Sequence, residues 1–282
     1  MLNFKFTPLL LLVILLSSFI FSCKDSSIDE SYSINEMIKF EKSFNGLSKR
    51  FPKSSQIIVS SRVEDECIDI SSSNCITYLN LPLYHLYLPQ YDCFANASCS
   101  IIMCYTVNAA GGVDLQIYFK NFYVFYDNES DCSEIKQLWA QLKSERKLVE
   151  LDESIADFRD YIADIFLAKF MNDFFKPDLG RYFECGSINN TLYVNYIKNV
   201  CYKFCVKDIL IGGEPALEVD NSTRNCGTAC CKKSSQYCIQ NGEYIISDPT
   251  YTKIGTCSGA AFTSCPIEYS QIEIECNHSC MR

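Results

Sequence analysis

Residues 113–126 read VDLQIYFKNFYVFY, and the fold class turns on this stretch. Val113, Leu115, Ile117 and Phe119 alternate with Asp114, Gln116, Tyr118 and Lys120. A period of two places the two sets on opposite faces of a strand. Gly111-Gly112 suits the turn before it, and Asn121 sits at a change of phase that predicts a bulge. Toward the C-terminus the period changes. Residues 131–175 contain neither Gly nor Pro, and Asp131 with Glu134 gives a helix start. Ile135, Leu138, Trp139 and Leu142 then form an apolar stripe at i, i+3, i+4 and i+7. After a charged join at 145–147 a second stripe runs through Leu151, Ile155, Phe158, Ile162, Ile165, Phe166, Phe170 and Phe174. It reads as a helix packed on a sheet, with Asp157, Asp160 and Asp164 on a solvated face. Lys176-Pro177 is the expected end.

Toward the N-terminus, 101–107, 75–81 and 56–62 read as further strands. Ser33-Ile34-Asn35-Glu36 has the form of a capping box, so a short helix is expected from there to Gly46. On the C-terminal side, 191–197 is a strand continuing toward 200–206, and 243–247 and 270–274 are shorter candidates. Gly212-Gly213 and 220–225 mark loops. The sum is an α+β fold. It has a β-rich N-terminal part, a central helical pair and a disulfide-stapled, cysteine-rich C-terminal region of strands and loops. The expected division is 1–22 signal peptide, 23–33 anchor and tether, 34–185 α+β domain and 186–282 cysteine-rich region.

The chain has 282 residues, of which 48% are hydrophobic and 13% aromatic, enough for a substantial core. A net charge of −9 disfavours nucleic acid as a partner, because phosphate binding needs clustered Lys and Arg.

Residues 1–22 read as an export signal. Lys5 supplies a weak positive start, and 8–20 (PLLLLVILLSSFI) is an apolar run too short to span a bilayer. Ile20-Phe21-Ser22-Cys23, followed by Lys24-Asp25-Ser26-Ser27, resembles the signal of Bacteroidota-type lipoproteins. Phe21 departs from the small residue commonest at its place. The resemblance implies lipid attachment at Cys23: a diacylglyceryl group on the thiol, cleavage before it, and acylation of the new amino group. Two or three acyl chains hold a protein on a membrane where one does not. The expected partner is therefore a membrane, through an anchor at the outer membrane or cell surface. Ordinary cleavage, giving a secreted protein, is the alternative.

An exported chain meets an oxidising compartment, so its eighteen cysteines are expected in disulfides. With Cys23 carrying lipid, seventeen candidates remain: Cys67, Cys75, Cys93, Cys99, Cys104, Cys132, Cys185, Cys201, Cys205, Cys226, Cys230, Cys231, Cys238, Cys257, Cys265, Cys276 and Cys280. Seventeen is odd, so one thiol is free or bonds between chains. Cys230 and Cys231 are expected to take different partners, because a bridge between neighbours strains the peptide. The aromatic strand and the CGTACCKK run at 226–233, with Tyr237-Cys238 and Gly255-Thr256-Cys257, resemble the cysteine-rich ends of uncharacterised secreted proteins of the Bacteroidota. That resemblance carries no activity.

No Gly-rich phosphate loop, paired-His helix or nucleophile elbow is present. No residue is assigned a catalytic or metal-ligating role, and no cofactor is implied. Gly255-Thr256-Cys257-Ser258-Gly259 reads as a disulfide loop. His85 and His278 are the only imidazoles; His85 sits among aromatics as a structural residue, and His278 in a terminal loop. Asp65, Glu66, Glu184, Glu214 and Glu218 are open to carboxylate chemistry, but nothing singles them out. The leading reading is a non-catalytic binding or surface protein with a protein, peptide or glycan ligand. The first alternative is an exported hydrolase using carboxylates, or His85 with an acid. The second is a eukaryotic secreted glycoprotein, for which Asn96, Asn128, Asn189, Asn221 and Asn277 begin acceptor triplets.

Overall fold

The computed structural model describes residues 30–51, 57–60, 63–65, 67–70, 74–79, 83–220, 224–225, 227–257, 264–273 and 280. The chain divides into two compact units, Met1–Ile38 and Lys39–Arg282. In order, the elements begin with helix α1 (Glu30–Leu47) and strands β1 (Ile57–Ser60), β2 (Val63–Asp65), β3 (Ile68–Ile70), β4 (Asn74–Tyr78), β5 (Tyr84–Leu88), β6 (Cys93–Val107) and β7 (Val113–Phe125). Helices α2 (Ser133–Ser144) and α3 (Leu148–Phe170) follow, then a π-helical turn at Met171–Phe175 and a short α4 (Lys176–Leu179). The remaining strands are β8 (Thr191–Asn199), β9 (Tyr202–Lys203), β10 (Cys205–Ile211), β11 (Glu214–Val219), β12 (Arg224–Asn225), β13 (Cys230–Gln240), β14 (Glu243–Ile246), β15 (Thr250–Ile254) and β16 (Ser270–Gln271). The fold is α+β.

Nine strands form the main sheet in the order β1-β4-β6-β7-β8-β13-β14; β5 also pairs with β6, and β15 with β13. All its pairs are antiparallel except β7 with β8, which runs parallel from Asp114↔Thr191 to Phe119↔Tyr196. A parallel pair cannot be closed by a tight turn and needs a long crossover. The helical segment supplies it and lays its apolar stripe on the sheet. Leu151, Ile155, Phe158, Ile162, Phe166 and Phe170 of α3 are buried. Phe119 meets Phe166 and Phe170 edge-on, with centroids 6.3 and 5.3 Å apart, and Phe122 meets Phe166 at 5.4 Å. Each fully buried Phe contributes about 1.5–3 kcal/mol relative to exposure. Phe40 and Phe44 of α1 add edge contacts to Tyr105 at 5.3 and 4.9 Å.

Several boundaries differ from expectation. α1 starts at Glu30, so Ser33 lies inside the helix and not at its cap. Cys132, with φ 56°, takes the cap position of α2, while the Asp131 carboxylate accepts from the Asp127 and Asn128 amides. Pro177 does not end the helical segment. It occupies the first turn of α4, and the Asp173 carbonyl four residues back, which a proline cannot serve, accepts from Arg50 at 2.9 Å. Asn121 has φ 52°, and the β6–β7 register shifts between Ser98/Tyr123 and Ser100/Lys120, so the phase change is a bulge. The expected boundary at 185/186 falls inside the compact unit Lys39–Arg282, because β8 and β13 continue the same sheet as β4, β6 and β7.

Among the described residues seven disulfides are present: Cys67–Cys230, Cys75–Cys104, Cys93–Cys132, Cys185–Cys238, Cys201–Cys257, Cys205–Cys265 and Cys231–Cys280. Successive residues of a strand point to opposite faces, so Cys230 and Cys231 of β13 reach different partners. Cys67–Cys230 closes a span of 163 residues, worth about 5 kcal/mol in the chain-entropy limit. Cys99, one of the disulfide candidates, is a correction: it is a free thiol with 0% exposure, and its burial in the core part of β6 leaves it unpaired among the described residues.

The turn into β7 rests on one clamp. The Asn108 amide nitrogen donates to the Asn189 carbonyl at 2.7 Å, and its Oδ1 accepts from the Ala110 and Gly112 amides. A Cβ on Gly112 would overlap the Asn189 carbonyl oxygen. Gly112→Ala is therefore expected to cost about 1–3 kcal/mol by separating the start of β7 from the chain that feeds β8. Urea unfolding under non-reducing conditions measures it, and a variant as stable as the parent would contradict this account of the parallel pair.

Candidate functional site

A groove runs between α3 and the sheet. Glu153, Asp157, Asp160 and Asp164 are spaced by four, three and four residues and so share one edge of the helix. Facing them are Tyr196 and Lys198 of β8, Cys231 and Lys233 of β13 and Tyr251 of β15. The register explains the convergence: Lys198 pairs with Cys231, Tyr196 with Lys233, and Lys233 with Tyr251, so all project from one face. This cleft has a volume of about 550 Å³. A second, of about 440 Å³, continues along Met171, Tyr237, Tyr244 and Ile246. Asp164, Tyr196 and Lys233 line both.

Two ion pairs cross the groove. Lys198 Nζ lies 2.5 Å from Asp160 Oδ2, and Lys233 Nζ 3.0 Å from Asp164 Oδ1. The Asp164 side chain is 56% exposed, so the second pair is a solvated contact worth about 0–1 kcal/mol, readily exchanged for a ligand's charge. Burial pushes the Tyr196 phenol well up, and burial followed by the Asp164 charge pushes Tyr237 up to about 12. Burial, with a smaller contribution from Tyr237, also raises Tyr244, whose hydroxyl donates to the Met171 carbonyl at 2.8 Å. The walls thus offer carboxylates, two ammonium groups and neutral phenols, a set suited to holding a polar ligand.

The aromatic stripe of α3 does not line this groove; it is buried against the sheet. The acids expected on a solvated helix face instead form one wall. Lys198, Lys233 and Tyr237 were not singled out as site residues in the sequence, although the period of two through Cys231, Lys233, Ser235 and Tyr237 is visible once β13 is known. His85 lies on the other face of the sheet, exposed and stacked on Phe94 at 4.9 Å, and its Nδ1 meets Asn96 Oδ1 at 3.0 Å. Glu218 accepts from the Tyr269 hydroxyl at 3.0 Å, and Glu184 forms a β-bridge with Ile239. Glu214 begins β11, away from both. Cys23, Asp65, Glu66, Cys226, Cys276 and His278 lie outside the described residues or their described side chains. No helix among the described residues is long and apolar enough to cross a membrane. The class the geometry defines is a disulfide-linked α+β protein with a polar groove between helix and sheet. No protein-family model matches the chain, and neither a curated protein nor a solved structure matches it.

The raised Tyr237 gives a pH signature. An unfolded tyrosine ionises near pH 10, so this group's contribution is complete below about pH 10 and is lost as the pH climbs toward the folded value. Urea midpoints compared at about pH 9 and about pH 11 should fall less in Tyr237→Phe than in the parent. Equal falls would mean that the phenol is not held protonated in the groove wall.

Proposed function

We propose that the protein is a membrane-anchored extracytoplasmic lipoprotein that binds a ligand without transforming it. The observation that carries the reading is the cysteine pairing. Fourteen of eighteen cysteines stand in the seven bridges, and Cys99 is buried and free. Three remain: Cys23, Cys226 and Cys276. Three is odd, so in a monomer one of them is in no bridge. Cys23, in its lipoprotein-like setting, is the one whose thiol has a chemical use outside a disulfide. The many bridges support an oxidising compartment outside the cytoplasm. The non-catalytic part of the reading draws on the groove, whose acids Asp160 and Asp164 are engaged by lysines, and on His85, which faces an amide instead of a nucleophile.

Mass spectrometry of the mature N-terminus should find Cys23 acylated. A terminus beginning elsewhere, or an unmodified Cys23, would end the anchor reading. Thiol labelling of the unreduced protein separates the two parts of the argument. One thiol, Cys99, is expected to label after denaturation and none before it. Two labelled thiols, with Cys23 one of them, would leave the disulfide framework standing and remove the lipid.

A further inference from the structure

The face of the sheet turned away from α3 carries an aromatic surface that the groove does not use. β5 alternates strictly: Tyr84, Leu86 and Leu88 are buried, while His85 and Tyr87 are exposed. Phe94 of β6 lies opposite Tyr87, and Asn96 opposite His85. On the next strand Phe125 lies opposite Asn96, and Tyr123 opposite Ser98. Tyr87, Phe94 and Phe125 are 47%, 48% and 39% exposed, which no packing requirement explains. The rings touch. Phe94 stacks on His85 at 4.9 Å with 3° between planes, and Tyr87 lies 5.0 Å from Phe94.

The bulge at Asn121 creates this face. Phe119 and Phe125 are six residues apart and would share one side of a regular strand. With one extra residue between them, Phe119 is buried at 2% exposure while Phe125 turns outward, and Val124 takes the inward position.

Polar groups ring the aromatic surface in a fixed arrangement. The Tyr87 hydroxyl donates to Asp92 Oδ1 at 2.6 Å, and Asn96 Nδ2 donates to Asp127 Oδ1 at 2.7 Å. A carboxylate only accepts, so the Asn96 amide nitrogen must face Asp127 and its oxygen must face His85. His85 Nδ1 therefore carries the proton in this contact, and Nε2 is the ring nitrogen left facing solvent. The second oxygens of Asp92 and Asp127 add acceptors at the same rim.

We propose that this face binds a neutral glycan. A pyranose ring has an apolar C–H face, which the negative π-face of an aromatic ring attracts, and a rim of hydroxyls that need acceptors. Tyr87, Phe94 and Phe125 form the platform, and Asp92 and Asp127 the acceptors. The rim carboxylates disfavour uronic or sulfated sugars, and the hydroxyls of a neutral sugar supply the donors that these acceptors need. The platform residues are exposed side chains on three neighbouring strands, so the surface suits a polysaccharide chain laid across strands more than a small molecule held in a pocket.

The test is affinity electrophoresis of the full mature protein in detergent, through gels containing neutral polymers of glucose, mannose, galactose or N-acetylglucosamine. Polygalacturonate serves as the anionic comparison. At least one neutral polymer should retard the protein, and polygalacturonate should not. Phe94→Ala and Tyr87→Ala should each weaken retardation by about tenfold, with unfolding midpoints unchanged. Val149→Ala, exposed at the start of α3 and outside both surfaces, should retard like the parent. Free migration in every neutral polymer, equal retardation of parent and Phe94→Ala, or equal retardation by polygalacturonate would overturn the proposal. If the glycan face fails while Cys23 proves acylated, the anchor reading stands without it.

Discussion

The parallel contact between β7 and β8 is the constraint on which the rest of this structure depends. It forbids a hairpin between the strands and so requires the chain to leave the sheet at Phe125 and return at Thr191. The segment that does this is helical and apolar along one stripe, so it comes to rest on one face of the sheet through Phe166 and Phe170. Both candidate surfaces follow from that. On the covered face, the edge of α3 that cannot reach the core overhangs β8 and β13 and makes a groove. Among the described residues the opposite face receives no helix there and keeps its aromatic residues exposed.

Disulfides complete what hydrophobic packing leaves open. The β2–β3 hairpin lies against the face away from α3 through Ile68, which packs with Ile102, Cys104, Tyr118 and Ile197 around Cys230. Its tie, Cys67–Cys230, joins segments that are remote in sequence but adjacent in the fold. A short hairpin with few apolar residues would be marginal alone, and the crosslink acts by limiting its freedom in the unfolded chain. The same logic holds around Val200, Cys201, Ala229 and Cys231, a small cluster in which the two cysteines are bridged to Cys257 and Cys280.

How far the sequence could be read depended on how cleanly each element separates its two faces. β7 and α3 were legible because each has one buried side, and their alternation and stripe are regular. The bulge was legible as a break in that alternation at Asn121. β13 and β5 were not recognised as strands. β13 reads CCKKSSQYCIQ, with charged and hydroxylated residues in the body of a central strand. β5 reads YHLYL, where aromatic residues stand on both faces and hide the period of two. Long-range pairing was also out of reach, since nothing local indicates that residue 67 meets residue 230.

These two omissions are connected to function by a physical argument. A strand whose only task is to fill a core has no reason to place Lys233 beneath a helix or Tyr87 in water. Such residues reduce the stability of the element that bears them, and the local signal of that element weakens accordingly. β13 is retained in the sheet by its neighbours: β8 on one side, β14 and β15 on the other. It is also retained by three cysteines, Cys230, Cys231 and Cys238, each bridged to a different part of the chain. With position secured covalently, its remaining side chains are free to be chosen for what they present to the groove. β5 is secured differently, by the burial of Tyr84, Leu86 and Leu88 on its inner side, while Cys93–Cys132 fixes the start of the strand beside it. In both strands the support comes from outside the residues that face the candidate surface, which is the arrangement that lets surface side chains vary without unfolding the element beneath them.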